Sequence, residues 1–483
     1  MHAVARAGEM IDGFTLLEKL HAGGMATIWR VEHEVHPGPL VMKLPLILDG
    51  DEPGMIVGFE VEDMILQRLN GPHVPRFVAS SGLGPRPWLV MEEVRGTSLE
   101  AISADGRLTP ARVATIGAAV ADALHQLHRQ HVIHLDIKPG NILMLSEDEA
   151  VLIDFGLSRH DQLPDLLAEE TRLPIGTGAT IAPEQVVGVR NDLRSDIFAL
   201  GVVLYKLATG RLPFGQPEGN AAMRQRLWNR PLPPIALVPD IPLALQEVIL
   251  RCLEVDASNR YQTAALLAYD LRHLDAVALT ERAERRKGAG FFETWRSRLA
   301  ASHYRPARVG ADSVSQGLAS APLIAVAIDL AEGQKALADA LRLEVHRLLK
   351  VEPKARLTCI NVLKVKRLSL EQLVNDEGES LHLHRLIALK DWASPLCVST
   401  DRLTCHVFEA VDPAEALVAH LKRNRVDHLV MGARASSPYR RFLGSVSTKV
   451  VAEAPCSVTI IRLNAYDEGE SGTEKRVSLA ASP

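Results

Sequence analysis

The chain has 483 residues, enough for two to four domains that each bury a core of their own. At 47% hydrophobic and 23% charged residues it has the composition of a globular protein, which excludes a collagenous, low-complexity or largely disordered chain. A formal net charge of −5 supplies no electrostatic drive toward nucleic acid, which is therefore not an expected partner. Five cysteines, an odd number without framework spacing, read as thiols of a reducing compartment and not as a disulfide scaffold or a zinc site. The first residues, MHAVARAGEMIDGF, lack the apolar stretch of a signal peptide, and no run of about 18 apolar residues occurs. The expectation is a cytoplasmic protein with no transmembrane segment.

Pattern and turn signals divide the chain into an N-terminal tail (1–13), a first domain (14–275), a basic linker (276–320), a second domain (321–463) and a disordered polar tail (464–483). In the first domain the strand FTLLEKL leads through His21-Ala22-Gly23-Gly24-Met25-Ala26 into a second strand, TIWRVEH. Glycine in such a loop lets backbone N–H groups approach a phosphate closely. Lys43 follows in the alternating strand LVMKL. In the helical stretch MIVGFEVEDMILQRLN, positions 62, 65, 66 and 69 read Glu, Ile, Leu and Leu, whereas 60, 63, 64 and 67 read Glu, Asp, Met and Gln. Glu62, and not Glu60, therefore shares the inward face. A carboxylate there is costly unless paired, which makes Lys43 its physical partner.

The strand Trp88-Leu89-Val90-Met91-Glu92-Glu93-Val94 comes next, then His134-Leu135-Asp136-Ile137-Lys138-Pro139-Gly140-Asn141, and after a short apolar strand pair Asp154-Phe155-Gly156. Asp136, Lys138, Asn141 and Asp154 supply a carboxylate to orient a hydroxyl, a cation for a transferring phosphate and oxygen ligands for Mg²⁺, the set that phosphoryl transfer needs. These strings resemble the catalytic and metal loops of bacterial Hanks-type serine/threonine protein kinases. Later landmarks extend the resemblance over the whole first domain: Gly176-Thr177, Ala182-Pro183-Glu184, Ser195-Asp196 through Gly201, and Arg260.

The resemblance implies an α+β bilobal protein-kinase fold with Asp136, Lys138, Lys43 and Glu62 as its catalytic set. It implies an ATP site formed by Leu20, His21, Gly23, Gly24, Ala26, Ile28, Lys43, Met91 and the backbone of Glu92 and Val94. Asn141 and Asp154 are the implied ligands of Mg²⁺, with Mn²⁺ as an alternative. Asp196 is expected to accept hydrogen bonds from the catalytic-loop backbone, and Arg260 to pair with Glu184. Lys138 and Gly176-Thr177 resemble the serine/threonine class, so protein substrates with Ser or Thr hydroxyls are the expected partners. A small-molecule kinase of similar fold is disfavoured by the segment from Asp154 to Glu184, which resembles a protein-docking platform.

Two departures from the family pattern stand out. Of the three loop glycines only the middle one remains, with His21 and Ala26 at the outer positions, so a stiffer loop and weaker ATP binding are expected. Leu135 stands where regulated members carry an arginine that pairs with a phosphorylated activation segment. These departures keep open the alternative of a pseudokinase scaffold that binds nucleotide with little transfer.

In the second domain the runs LIAVAI, RLTCINVLKV, RLTCHVF, HLVMG and SVTIIR alternate with helix-period stretches, the pattern of βαβ units in a parallel sheet. Leu323 to Asp329, Val430-Met431-Gly432-Ala433-Arg434, and Gly444-Ser445 through Val458 resemble the universal stress protein family. The resemblance implies an α/β doubly wound, adenine nucleotide alpha-hydrolase-like fold, a possible homodimer, and a second nucleotide site at Asp329, Gly432, Gly444 and Ser445. Ligands in such sheets sit at the carboxyl ends of strands, and a helix start suits phosphate. Ala435 replaces a glycine of the family's phosphate loop, so a dimerisation or partner-docking module without nucleotide stands beside the nucleotide-binding one. The linker stretch Phe291 to Leu299, aromatic on one helical side and basic on the other, is expected to pack on a domain in preference to a membrane surface.

Without a guanidinium at Leu135, transfer activity should not depend on phosphorylation of Thr171, the most loop-like threonine of the segment. Thr171→Ala is expected to keep phosphotransfer within about tenfold of wild type, a barrier change of roughly 1.4 kcal/mol. A larger loss in a radiolabel assay contradicts that expectation.

Overall fold

Period-two alternation in the first strands builds an antiparallel sheet in the computed structural model, which describes residues 5–23, 26–46, 53–82, 86–104, 106–163, 165–170, 174–217, 219–288, 295, 298–299, 322–330, 334–365, 381–399, 402–424, 426–433 and 445–462. Gly24, Met25, Thr171, Arg434, Ala435, Gly444 and the expected tail 464–483 lie outside the described residues. The chain divides into two compact units, one comprising Met1–Leu318 and the other Ala319–Gln372 with Leu381–Pro483.

The first sheet has the order β1-β2-β3-β4-β6-β5, built from β1 (Met10–Ile11), β2 (Phe14–Ala22), β3 (Ala26–Glu32), β4 (Leu40–Pro45), β5 (Phe77–Ser80) and β6 (Leu89–Glu92). One face closes over Phe14, Leu16, Trp29, Leu40, Met42 and Val90. From the other, Val41, Leu89 and Met91 join the core that also takes α1 (Pro53–Leu66).

Part of the expected N-terminal tail 1–13 is paired with the first sheet. Met10 and Ile11 pair with Thr15 and Phe14 across Asp12-Gly13, whose φ angles of 47° and 89° make a two-residue hairpin turn. Ile11 is buried, Trp88 Nε1 donates to Asp12 Oδ2 at 2.7 Å, and Arg86 pairs with Glu9 at 2.5 Å. An Asp-Gly dipeptide between apolar residues is the local signal that specifies this hairpin.

The rest of the first unit is mainly helical. Its strands are short: β7 (Thr97–Ser98), β8 (Val132–Ile133), β9 (Ile142–Met144), β10 (Ala150–Leu152) and β11 (Arg159–His160). The helices that matter here are α2 (Pro110–Arg129), α3 (Leu166–Glu170), α4 (Pro183–Val186), α5 (Arg194–Thr209), α6 (Leu243–Cys252), α7 (Ala264–Arg272) and α8 (Glu281–Glu284). α5 is buried almost from end to end, an all-round apolar helix that serves as the lobe's axis. It tolerates close neighbours because Gly201 has no side chain: a Cβ there would lie 2.5 Å from Cys252 Cβ of α6.

The first residues of the expected linker, 276–320, pack on the first unit. Ala283 is fully buried, and Gln246 Nε2 donates to the carbonyls of Arg282, Ala283 and Arg285 at 2.9–3.0 Å. Arg282 Nε binds Glu247 at 2.9 Å. The chain therefore stays fastened to α6 through Arg285. Thr280, whose side chain accepts from Arg282 N at 3.3 Å, caps this short helix, a local signal that the basic composition of the segment hides. Further along, the Arg298 guanidinium lies 5.7 Å over the Trp228 ring, and Phe291 and Phe292 lie outside the described residues.

The second unit is a parallel sheet of β12 (Leu323–Ala327), β13 (Arg356–Lys364), β14 (Leu403–Ala410), β15 (His428–Gly432) and β16 (Ser457–Ile461), in the order β14-β13-β12-β15-β16. α9 (Lys335–Val351) and α10 (Leu381–Ala393) cover one face, and α11 (Pro413–Asn424) and α12 (Ser445–Glu453) the other. Helices on both faces make this a doubly wound sheet, and the strand order reverses between β12 and β15. No described helix is long and apolar enough to cross a membrane.

Candidate active site

β4 and α1 set the first part of the site. Lys43 on β4 reaches Glu62 Oε2 on α1 at 2.5 Å and Asp154 Oδ1 at 2.9 Å. Glu62 is only 2% exposed, as its place on the apolar face of α1 requires. Burial by itself would lower the Lys43 pKa, but Glu62 and then Asp154 outweigh it, and the ammonium is held above its ordinary range. For Glu62, burial raises the carboxyl pKa against the pull of Lys43. For Asp154, burial is outweighed by Lys43, and the carboxyl is held below its ordinary value.

Asp154 takes up a left-handed backbone conformation, φ 66°, that few non-glycine residues adopt. It is fixed there by Phe155, fully buried with its ring 5.1 Å from that of His134. Strain of this kind, kept by surrounding packing, is characteristic of functional sites.

The loop that begins at His134 hangs on α5. Asp196 accepts from the backbone N–H groups of His134 at 2.9 Å and Leu135 at 2.8 Å, and lies 2.9 Å from His128 Nε2. Leu135 also has a positive φ, 62°, and its carbonyl accepts from Gln185 Nε2 at 3.0 Å. Thus Asp136 is presented by a strained turn whose donors and acceptors are tied to α5 and α4. Its Oδ2 takes Lys138 Nζ at 2.7 Å and Asn141 Nδ2 at 3.0 Å. Its Oδ1 takes the Thr177 N–H at 3.0 Å and the Thr177 hydroxyl at 2.5 Å. Donors on both oxygens hold the carboxylate in one orientation.

Thr177 belongs to this site, although the sequence marks it only through the Gly176-Thr177 pair. Gly176 carries φ 139°, and a Cβ there would lie 3.3 Å from the Leu135 carbonyl oxygen, so a glycine lets the segment close on the loop that carries Asp136. Below it, Glu184 and Arg260 form a fully buried bidentate pair at 2.8 and 2.9 Å, and the Ser195 hydroxyl donates to Glu184 at 2.6 Å.

The stretches that carry the expected metal ligands are joined by the backbone: the Ile153 N–H donates to the Asn141 carbonyl at 3.0 Å. Asn141 gives Nδ2 to the carboxylate and carbonyl of Asp136, which turns its amide oxygen the opposite way. That oxygen and the carboxylate of Asp154 are hard oxygen donors of the kind Mg²⁺ accepts together with phosphates.

Of the expected nucleotide residues, Leu20 and His21 lie exposed at the end of β2, and Ala26 and Ile28 on β3. Gly23 N–H donates to the Ala26 carbonyl at 3.0 Å, closing the loop's hairpin. Met91 is buried in β6. The Glu92 N–H is taken by the Arg76 carbonyl at 2.9 Å, and the Val94 carbonyl accepts from Gly96 N at 3.2 Å. In the second unit Asp329 and Gly432 both lie at the carboxyl ends of adjacent strands, β12 and β15, where the strand order reverses. Ser445 opens α12, and the Ser447 hydroxyl donates to the Gly432 carbonyl at 3.4 Å. A Cβ on Gly432 would lie 2.6 Å from Leu337, so packing against α9 also requires that glycine.

A sheet lobe carrying a buried lysine–glutamate pair, joined to a helical lobe that presents Asp136, Asn141 and Asp154, is the architecture of the protein kinases. The chain belongs to that family: the protein kinase domain matches residues 14–271, and the universal stress protein family matches residues 323–462. Serine/threonine-protein kinase PknB of Mycolicibacterium smegmatis is 33% identical over 266 residues, 54% of this chain and 42% of that protein. Serine/threonine-protein kinase pkn2 of Myxococcus xanthus is 32% identical over 270 residues, 54% of this chain and 32% of that one. The chain thus spans less than half the length of these curated relatives. Among solved structures, the Mycobacterium tuberculosis PknI kinase domain matches 56% of this chain and 100% of its own at 23% identity and a TM-score of 0.46.

The buried Glu184–Arg260 pair yields a stability prediction. Glu184→Gln leaves the Arg260 guanidinium uncompensated in the core and is expected to cost about 3–5 kcal/mol in urea unfolding. A loss within about 1 kcal/mol, the usual worth of an exposed pair, contradicts this account of the lobe.

Proposed function

We propose that the chain is an ATP-dependent serine/threonine protein kinase that transfers phosphoryl groups to Ser and Thr hydroxyls of proteins. The observation that carries this reading is the Asp136 carboxylate, held by Lys138, Asn141 and Thr177, in a chain whose Lys43–Glu62–Asp154 contacts are already made.

Asp136 orients the acceptor hydroxyl and takes its proton as the oxygen attacks phosphorus and the bond to the departing ADP breaks. Lys138, anchored on Asp136, faces the transferring phosphoryl group with its ammonium. Lys43 grips the nucleotide phosphates, and Glu62 keeps it aimed. Asn141 and Asp154 would hold a divalent cation such as Mg²⁺, which would supply neutralisation of phosphate charge. Leu20, Ala26, Ile28 and Met91 enclose the base, and the Glu92–Val94 backbone offers it polar partners. Gly23 and Gly24 let the loop approach the phosphates, and His21 borders it. In the second unit, Asp329, Gly432, Gly444 and Ser445 are the nucleotide-facing residues of a module for sensing, dimerisation or partner docking.

The test is phosphate transfer from radiolabelled ATP by the full chain against Asp136→Asn and Lys43→Ala. Each substitution is expected to lower transfer by at least about a hundredfold, the scale of losing a positioned base or a transition-state cation. Wild-type label no higher than that of the two variants would sink the enzyme reading and leave a nucleotide-binding scaffold.

A further inference from the structure

Keeping Glu62 on Lys43 requires α1 to stay in place, and a set of groups outside the catalytic steps does this. Directly after β11 the chain turns back onto α1. Leu163, Leu166 and Leu167 are buried, and α3 packs along α1. The seam is lined by Val61, Met64 and Ile65 on one side and by Leu163, Asp165 and Leu166 on the other. It leaves only about 10 Å³, room for no more than about one water molecule.

The polar end of this seam carries an unusual charge balance. Asp165 caps α3 by accepting from Ala168 N at 3.3 Å. Its two oxygens also accept from Arg190 Nε at 3.1 and 3.0 Å, and Arg159 Nε lies 3.7 Å away. Arg190 Nη2 donates to the Leu157 carbonyl at 3.0 Å, so the same guanidinium holds the chain just beyond Gly156. The Arg190 side chain is 6% exposed and that of Arg159 23%. Asp161 also attracts Arg159, but Asp165 is the carboxylate that both largely buried cations meet, and Arg190 Nη1 and Arg159 Nε have no hydrogen-bond partner among the described residues. Removing that carboxylate would leave two like charges together in a poorly solvated place.

We propose that Asp165 is a built-in anion that fastens the start of the activation segment to α1, so that the Lys43–Glu62 pair forms without a phosphate on the segment. Asp165 is a positioning residue: it touches no reacting group and acts through Arg190, Arg159, α3 and α1 on Glu62. The consequence for activity rests on the kinase reading, whereas the clamp itself can be read without turnover.

The test is hydrogen exchange of the full chain, followed by mass spectrometry, for wild type, Asp165→Asn and Asp165→Glu. Asp165→Asn is expected to speed amide exchange in 163–168 and in α1 by about tenfold or more, the scale of a lost hydrogen bond to a charged group, with α5 unchanged. Asp165→Glu should restore protection in α1. In parallel, KM for ATP should rise severalfold in Asp165→Asn and recover in Asp165→Glu. Unchanged α1 exchange in Asp165→Asn overturns the proposal, whatever the activity. If Asp165→Asn does not fold, Arg190→Gln breaks the contact from the other side, and the same α1 readout decides. Wild type without phosphotransfer, but with α1 responding as described, sinks the kinase reading and upholds the clamp.

Discussion

The contact on which the site depends is the ammonium of Lys43 between two carboxylates, Glu62 and Asp154. One partner sits on a helix of the sheet lobe and the other on the loop that follows β10, so a single cation joins three separate stretches of chain. Lys43 or Glu62 alone would be an isolated charge in a poorly hydrated place. Together the ammonium and the two carboxylates hold the lysine charged and Asp154 ionised, the states that phosphate and metal binding require.

The helical lobe repeats this logic with a different anchor. Asp196, on the most buried helix, spends its carboxylate on the N–H groups of His134 and Leu135, and those bonds support the positive φ of Leu135 just before Asp136. Leu135 itself is buried at this turn, where regulated relatives of the family pattern place an arginine. The neighbouring activation segment finds its charge partner elsewhere, in the Asp165 contact to Arg190. A side chain absent from one position and an ion pair present at another are two aspects of one arrangement.

Much of the site was legible in the sequence because it is made of local strings. Asp136, Lys138 and Asn141 are close neighbours in one loop, Asp154 lies in a short string of its own, and helical periodicity alone separates Glu62 from Glu60. What the strings conceal is contact between distant residues of ordinary type. Nothing near Arg190 announces Asp165 as its partner, and Thr177 reaches Asp136 only after the segment has folded back over Gln185. The Asp12-Gly13 hairpin and the Thr280-capped helix did carry local signals, but weak ones, overshadowed by their position at the edges of a strongly patterned domain. In the second unit the alternation of strands and helices foretold the doubly wound sheet. The dual demand on Gly432, close packing against Leu337 as well as a place at the switch point, depends on tertiary packing that no spacing encodes.

The central claim is that the site is assembled before any phosphate is added to the chain. The most direct measurement is an intact-mass time course of a Ser/Thr peptide substrate with Mg-ATP and full-length protein pretreated with phosphatase. The account predicts product formation that is linear from the first time point. A lag that shortens when the protein is preincubated with ATP would contradict it.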